Sequence, residues 1–372
     1  MIPKYYEFLN KSKILSGYRA IENIAHELKT RGSNRPMILT HSEIVEKGIL
    51  KVFLDAMNGS ELVIGSVFQC SKPISPQCVE QAVSEFKACS CDAIIALGGD
   101  SSFILGKAIG FALLQGSGDD ILLMGPDCVK KSLPAPFIIV PVAYHALEIT
   151  GDPDVIVLDP RLTMRQPPHD TVVFAMDTVC HAIETYTGLQ KNPLSDAYAF
   201  SAITLVRENL PKAVNYERER KSSFALVNAA LLSSIAFMNS QAGIAHALVY
   251  GLEERCKVTH EEVIGIILPH CMETNMIELD EYYGELLLPL VGPEIYADTP
   301  QHERGRKTVQ AIRNMLSEYH EKYGIPICLS EVGVKRSDFD VITDLCLKSR
   351  LLLYNPTEVR EEDIRNILNL AF

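Results

Sequence analysis

Apolar positions along the chain change their spacing once. Through roughly the first 160 positions they come in short runs, PMILT, LVIGSVF, AIIALGG, ILLMG, FIIVPVA and VIVLD, with helical patterns between them. Short Val-, Ile- and Leu-rich runs of this kind predict strands buried on both faces, and their alternation with helices predicts a parallel sheet covered on both sides. After Asp159-Pro160 the apolar spacing shifts to three and four. From about position 168 to the end, successive amphipathic helices follow with little strand signal. The pattern predicts an α/β domain with a Rossmann-like parallel sheet over 1–160, then an all-α domain over 161–372. A chain of 372 residues is long enough for two such cores.

Composition narrows the class. A hydrophobic share of 47% with 22% charged residues is that of a soluble globular protein. The formal net charge is -12 and no basic run interrupts it, which argues against nucleic acid or an anionic membrane as a partner. The opening MIPKYYEFLNKSK lacks an apolar core of signal-peptide length, and no apolar stretch is read as reaching the roughly 18 residues that span a bilayer. A cytoplasmic location is expected. The ten cysteines are scattered, the closest pair being Cys89 and Cys91, and are read as reduced, mostly buried thiols.

Candidate chemistry concentrates in the helical half. Asp177 and His181 stand four apart in AMDTVCHAIETY and project from one helix face. His246 lies in the apolar run GIAHALVYGL, and His260 follows Thr259 in KVTHEEVIGIILPH. Thr259 and Glu262 form a T-x-x-E capping box that puts His260 in the first turn of a helix. A helix N-terminus disfavours an imidazolium, so His260 is expected to stay neutral. A lone D-x-x-x-H pair usually marks a solvated face, and a lone histidine on an apolar helix is usually a core residue; the four together could surround one divalent metal. Cys180 is turned about 100° from His181 on a helix of 3.6 residues per turn and is read as a packing residue.

The order and spacing of Asp177, His181, His246 and His260 resemble the iron-containing (group III) alcohol dehydrogenase family, whose metal is held by one Asp and three His in that arrangement. Further segments resemble it in the same order: ILSGYRAIENIAHELKTRGSNRPMILTHSEIVEKGIL near the start, CDAIIALGGDSSFILGKAIG as the phosphate-binding turn, DVIVLDPRLTMRQPP as the domain junction, and YGIPICLSEVGV and LLLYNPTEVREEDIRNIL near the end. The resemblance implies a dehydroquinate synthase-like architecture, with a nucleotide on the sheet domain, a metal on the helical domain and chemistry in the cleft between. It also implies a homo-oligomer, commonly a dimer.

In AIIALGGDSSFILGKAIG a strand ends at Gly98-Gly99 and a helix begins, a context in which backbone N–H groups can approach a pyrophosphate. By resemblance Gly98, Gly99 and Ser101 contact cofactor phosphates, and Lys107 sits where the family's motif ends in Lys. Three departures stand here. Asp100 replaces the usual third glycine and adds a carboxylate near the phosphates. Ile104 replaces the family's Asp, and the wording GGDSSFILGKAIG is closer to the maleylacetate reductase branch. After Pro141 the family's TTAGTGSE loop is missing, leaving Tyr144, His145 and Glu148 as candidate lining of an altered pocket. His41 stands where the family often has an acidic residue against the adenosine ribose, so both NAD and NADP stay open.

The metal implied is Fe(II) or Zn, acting as a Lewis acid on a substrate oxygen. Tyr250 occupies the place of a family His near the nicotinamide and is a candidate proton relay, or else a core tyrosine. His270, in ILPHCMETN, matches a family Pro-His and is a second catalytic candidate. The expected activity is hydride transfer between NAD(P)(H) and a small alcohol, aldehyde or ketone. Two alternatives remain, a maleylacetate-reductase-like enzyme and a repurposed metal-binding scaffold with impaired dinucleotide binding.

Overall fold

A computed structural model of the chain describes residues 3–70, 74–115, 133–142, 153–163, 166–215 and 220–372. The chain divides into two compact units, one within Asn10–Arg165, the other built from Gln166–Phe372 with the segment up to Leu9.

The first unit runs β1 (Lys13–Ser16), α1 (Ile24–Thr30), β2 (Pro36–Thr40), α2 (Ser42–Glu46), α3 (Ile49–Met57), β3 (Ser66–Gln69), α4 (Pro76–Ala88), β4 (Ala93–Gly98), α5 (Asp100–Gln115), β5 (Phe137–Pro141) and β6 (Val155–Leu158). Among the described residues the strands form one parallel sheet in the order β1-β6-β5-β4-β2-β3. Every residue of β2, β4, β5 and β6 is buried, as continuous apolar runs require of strands covered on both faces. Alternate residues Ile38, Ile95, Ile138 and Val157 pack with Ile24 and Leu28 of α1 and Phe53 of α3. On the opposite face α5 comes so close that a Cβ on Gly106 would stand 2.4 Å from Phe137 and 3.4 Å from Ile94. The Gly-Lys-Ala-Ile run thus serves the seating of α5 on the sheet.

The run LVIGSVF yields a shorter strand than its apolar content suggests. β3 begins only at Ser66 and alternates between half-buried and exposed positions, because it is an edge strand paired to β2 alone. Val63 and Gly65 still donate to Asn34 and Pro36 carbonyls, but Val63 faces solvent. The run ILLMG, together with Tyr144, His145 and Glu148, lies outside the described residues.

The order of the strands places a switch point between β2 and β4. From β2 the chain moves outward to β3; from β4 it moves the other way to β5 and β6. The C-terminal ends of the two strands at such a reversal frame the usual ligand crevice of an open α/β sheet. His41 follows β2 and Gly98 ends β4. At the end of the sheet unit Arg161 clamps the chain: it donates to buried Asp159 at 2.7 Å and to both oxygens of Glu22 at 3.1 and 3.2 Å.

The second unit is helical: α6 (Pro168–Thr187), α7 (Pro193–Asn215), α8 (Arg220–Ser240), α9 (Ile244–Cys256), α10 (His260–Val291), α11 (Pro293–Asp298), α12 (Arg304–Tyr323), α13 (Phe339–Leu347) and α14 (Glu361–Leu370). One sequence expectation needs correction here. α8 is long and apolar enough to cross a bilayer by length and composition, its Ser and Asn residues having broken the apolar run to the eye. Leu226, Val227, Ala230, Leu231 and Ile235 of this helix are buried, and it packs on α6 and α7 as a core helix.

Candidate metal centre and nucleotide turn

α6 is buried along most of its length, so polar groups on it need partners within the fold. Asp177 and His181 lie on one of its faces, 3% exposed each. α9 brings in fully buried His246, and the first residue of α10 brings in His260. The structure gathers all four side chains: His181 Nε2 and His246 Nε2 are 3.0 Å apart, His181 Nδ1 is 2.9 Å from Asp177 Oδ1, and His260 Nε2 is 3.6 Å from the same oxygen. The ligand atoms of Asp177, His181 and His246 all fall within 4.8 Å of one another.

Their partners set which nitrogen of each ring is free. His181 Nδ1 is 3.1 Å from the Asp177 carbonyl oxygen, His246 Nδ1 2.5 Å from Glu184 Oε2, and His260 Nδ1 3.4 Å from Glu253 Oε2. Each of those oxygens only accepts, so each Nδ1 carries the hydrogen and donates. In the neutral rings every Nε2 is therefore a bare lone pair. Two lone pairs facing each other at 3.0 Å repel unless a proton or a cation lies between them.

Two atoms of the cluster remain without a hydrogen bond. Asp177 Oδ1 and His260 Nε2 are buried and unpartnered; the 2.9 Å approach of His181 to Asp177 Oδ1 lacks hydrogen-bond geometry. Buried polar atoms of this kind need an explanation, and an ion is one. Nitrogen ligands at about 2.0–2.1 Å from one ion stand roughly 3–3.4 Å apart, so the residues fit a divalent metal.

Electrostatics favour a cation in the same place. Burial opposes the Asp177 charge, yet His181 and His260 hold its carboxyl well below the ordinary range. Burial likewise opposes charge on His181, and Asp177 overcomes it and raises the pKa. His246 goes the other way, lowered to about 4 by burial and by His181, so it offers a neutral ring. His260 corrects the sequence expectation. Burial disfavours its charge, but Asp177 and Glu253 outweigh burial and push its pKa up well above the usual value. A field that stabilises imidazolium also stabilises a metal ion that takes the proton's place.

Thr259 is the residue before the first turn of α10, as the T-x-x-E pattern predicts, but the capping box does not form. Its hydroxyl donates to the Glu262 carboxylate at 2.6 Å and accepts no backbone N–H. Cys180 is buried, and burial with Glu184 holds its thiol well above the ordinary pKa, which keeps it protonated. Tyr250 lies one turn after His246 on α9, with its ring 5.8 Å from that of His260. His270 does not join the cluster. It sits ten residues along α10, roughly 15 Å at the α-helical rise, beside Arg313 and Glu273. Glu184 and Glu253 are the residues that sequence reasoning missed. Glu184 carried a signal, since it continues the face of Asp177 and His181 by one more turn.

In the sheet unit, Gly98 ends β4 and the Gly99 carbonyl accepts the first backbone bonds of α5, from Ser102 and Phe103. A Cβ at Gly98 would stand 2.7 Å from Ser102 Oγ and 3.1 Å from His41 Nε2, so this turn is closed to larger residues. His41 is engaged on both sides of its ring, by Cys70 Sγ at Nδ1 (2.8 Å) and by Ser102 Oγ at Nε2 (3.1 Å). Asp100 opens α5, and Ser101 on its first turn is half-buried. Ile104 is 41% exposed, and Lys107 is half-buried with its ammonium 6.0 Å from the Phe111 ring. Backbone donors at the start of α5 thus stand at the switch point of the sheet.

Comparison with known proteins gives one answer over nearly the whole chain. Residues 11–151 match the family model described as iron-containing alcohol dehydrogenase, and residues 171–372 match that of the Fe-containing alcohol dehydrogenase family, C-terminal. The chain is 26% identical to the NAD-dependent methanol dehydrogenase of Bacillus methanolicus, over 95% of this chain and 97% of that one. It is 25% identical to the 1,3-propanediol dehydrogenase of Klebsiella pneumoniae, over 99% of both. Among solved structures, a 1,3-propanediol oxidoreductase superposes with a TM-score of 0.89 at 24% identity, covering 99% of this chain and 100% of that one. Maleylacetate reductase from Agrobacterium tumefaciens shares the fold more distantly, with a TM-score of 0.76 at 20% identity and coverage of 100% and 99%.

Proposed function

The chain belongs to the iron-containing alcohol dehydrogenase family, and from that premise we propose that it is a metal-dependent oxidoreductase moving hydride between NAD(H) or NADP(H) and a small alcohol, aldehyde or ketone. The observation that carries the reading is the buried pair without partners, Asp177 Oδ1 and His260 Nε2, 3.6 Å apart beside two facing imidazoles. Asp177, His181, His246 and His260 would hold Fe(II) or Zn. Bound there, the ion supplies Lewis acidity toward the oxygen of the alcohol or carbonyl.

The remaining work belongs to the chain's own residues. Asp177 supplies the one anionic ligand, and its buried charge tunes the site toward a dication. Glu253 orients His260 through Nδ1, and Glu184 does the same for His246. Tyr250, 37% exposed and beside His260, is suited to carry the alcohol's proton to and from solvent through its hydroxyl. Gly98, Gly99, Ser101 and the first N–H groups of α5 would hold the cofactor pyrophosphate, with His41 and Ser102 bracing the turn.

The two companion readings fare differently. An acidic keto-acid substrate has less support, since maleylacetate reductase shares the fold only distantly, at 20% identity. A repurposed scaffold would keep the metal and lose the nucleotide. The relatives' enzymatic names support catalysis, and the free thiols among the described residues support a reducing, cytoplasmic setting. We also read the protein as a homodimer, which light scattering during gel filtration tests.

The experiment is calorimetric titration of the metal-loaded protein with NADH and with NADPH, followed by assays on short alcohols and aldehydes. Saturable micromolar binding of either nucleotide is expected. A folded, metal-loaded sample that binds neither would sink the dehydrogenase reading and leave the repurposed scaffold.

A further inference from the structure

Glu184 is a carboxylate 8% exposed, in the middle of the helical unit, and a buried charge is costly unless its oxygens are used. Both are. Oε1 accepts from the Ala245 backbone N–H at 2.7 Å, and Oε2 accepts from His246 Nδ1 at 2.5 Å and from the His246 backbone N–H at 3.4 Å. The carboxylate thus sits at the N-terminus of α9, where free N–H groups and the helix dipole favour negative charge.

Capping alone does not account for the arrangement. The next backbone donor, Ile244 N–H, is already capped by the neutral amide oxygen of Asn355 at 3.1 Å. Asn355 is fixed in turn through Asn275 and Thr357. A Cβ on Gly243 would lie 2.5 Å from Asn355 Oδ1 and 3.2 Å from Glu184 Oε1, so a glycine there lets both caps reach the helix. A neutral side chain is enough for one cap, whereas the other uses a buried charge. What distinguishes the charged one is its second oxygen, which meets the imidazole.

We propose that Glu184 is a positioning residue for the metal centre, locking His246 in the Nδ1–H tautomer so that Nε2 faces His181 Nε2. The inference rests on the reading of Asp177, His181, His246 and His260 as metal ligands. The carboxylate lies one turn beyond His181 on α6, so the helix that supplies two ligands also orients the third, which comes from α9. An imidazole freed from this bond can turn or adopt the other tautomer, which puts a hydrogen where the lone pair is needed.

The test is Glu184→Gln in the full-length chain. The amide keeps the size of the side chain but replaces one accepting oxygen by a donor, so Ala245 N–H and His246 Nδ1–H can no longer both be satisfied. Zn(II) and Co(II) affinity, measured by competition with a chromophoric chelator, is expected to fall about 10- to 100-fold, the range for loss of an outer-shell partner. The visible spectrum of the Co(II) protein should change as well. Asn355→Ala, which removes the neutral cap together with its bonds to Asn275 and Thr357 but leaves Glu184 and His246 in place, should lower the melting temperature of the metal-free protein and leave metal affinity within about threefold of wild type.

Wild-type affinity and an unaltered Co(II) spectrum in Glu184→Gln would overturn the proposal while leaving the metal centre standing. Failure of the wild-type protein to bind metal would overturn both, and is told apart by that control. If Glu184→Gln does not fold, the 15N shifts of His246 in Zn-loaded wild type decide the matter. A protonated Nδ1 supports the assignment, and a protonated Nε2 overturns it.

Discussion

His181 and His246, borne on different helices, hold their Nε2 atoms 3.0 Å apart with both rings almost closed to solvent. With both rings held in the Nδ1–H form by their oxygen partners, two Nε2 lone pairs face each other and a cation between them relieves the repulsion, which makes the pair a sensitive reporter of the centre. His246→Ala and His260→Ala are each expected to reduce metal affinity by more than the about 100-fold that loss of an outer-shell partner costs. Metal content after dialysis, by elemental analysis, is the measurement. Retention of stoichiometric metal by the double variant would show that the ion is held elsewhere.

The nucleotide turn can be separated from the metal because the two lie in different compact units. Gly98→Ala puts a Cβ 2.7 Å from Ser102 Oγ and 3.1 Å from His41 Nε2. Ser102 and His41, which brace the turn, must give way to accept it, and the backbone donors they hold in place lose that support. NADH and NADPH affinity should fall about 10-fold, in line with the roughly 1–3 kcal/mol that overpacking costs, with metal content unchanged. Adding Ser102→Ala removes the nearer contact and should recover part of the loss. Unchanged nucleotide titrations would place the phosphates away from this turn.

How far the site could be read in advance depended on the range of the interaction. PMILT and AIIALGG announce β2 and β4 because a strand buried on both faces is apolar at every position. The Asp177–His181 face follows from helical period alone. Glu184 sits on that same face, yet an acidic residue on a helix ordinarily reads as solvated; its partner His246 is 62 positions away, and no local pattern reports it. The boundary before His260 was legible in T-x-x-E, but its charge was not. The helix N-terminus is local information, whereas Asp177 and Glu253, which raise the pKa of His260 against burial, come from other helices. His41 shows the same limit: its place after β2 is visible in the sequence, while the two groups that occupy its ring, Cys70 and Ser102, come from beyond β3 and from α5.

Arg161 carries the stability of the DPRL segment. Burial opposes the charge of Asp159, but bonds from Arg161 and from the Ile21 backbone lower its pKa below the ordinary carboxylate value; Glu22, where burial likewise opposes, is lowered by Arg161 and Arg19. Asp159 therefore contributes stability that is complete above about pH 3.8, the unperturbed value, and is lost as pH falls through its lower folded value. Arg161→Gln leaves a buried carboxylate without its cation and should destabilise the fold by about 3 kcal/mol at pH 7. In that variant burial raises the Asp159 pKa, so the deficit should shrink as pH drops toward 4. Urea unfolding at pH 7, 5.5 and 4.5 checks both; a deficit independent of pH would mean that Arg161 acts through packing.

Tyr250 separates proton movement from metal binding. It shares a face of α9 with His246, stands beside His260 and is 37% exposed, a position a core tyrosine would not hold. A partly exposed phenol beside His260, a proposed metal ligand, is placed to pass the alcohol's proton outward, and removing such a relay costs about 100-fold or more. Tyr250→Phe keeps the ring, so metal content and nucleotide affinity should match wild type. The expected result is a kcat about 100-fold lower, with a change in the shape of its pH profile. If kcat and the profile are both unaltered, the proton leaves by another route and the phenol only packs against His260.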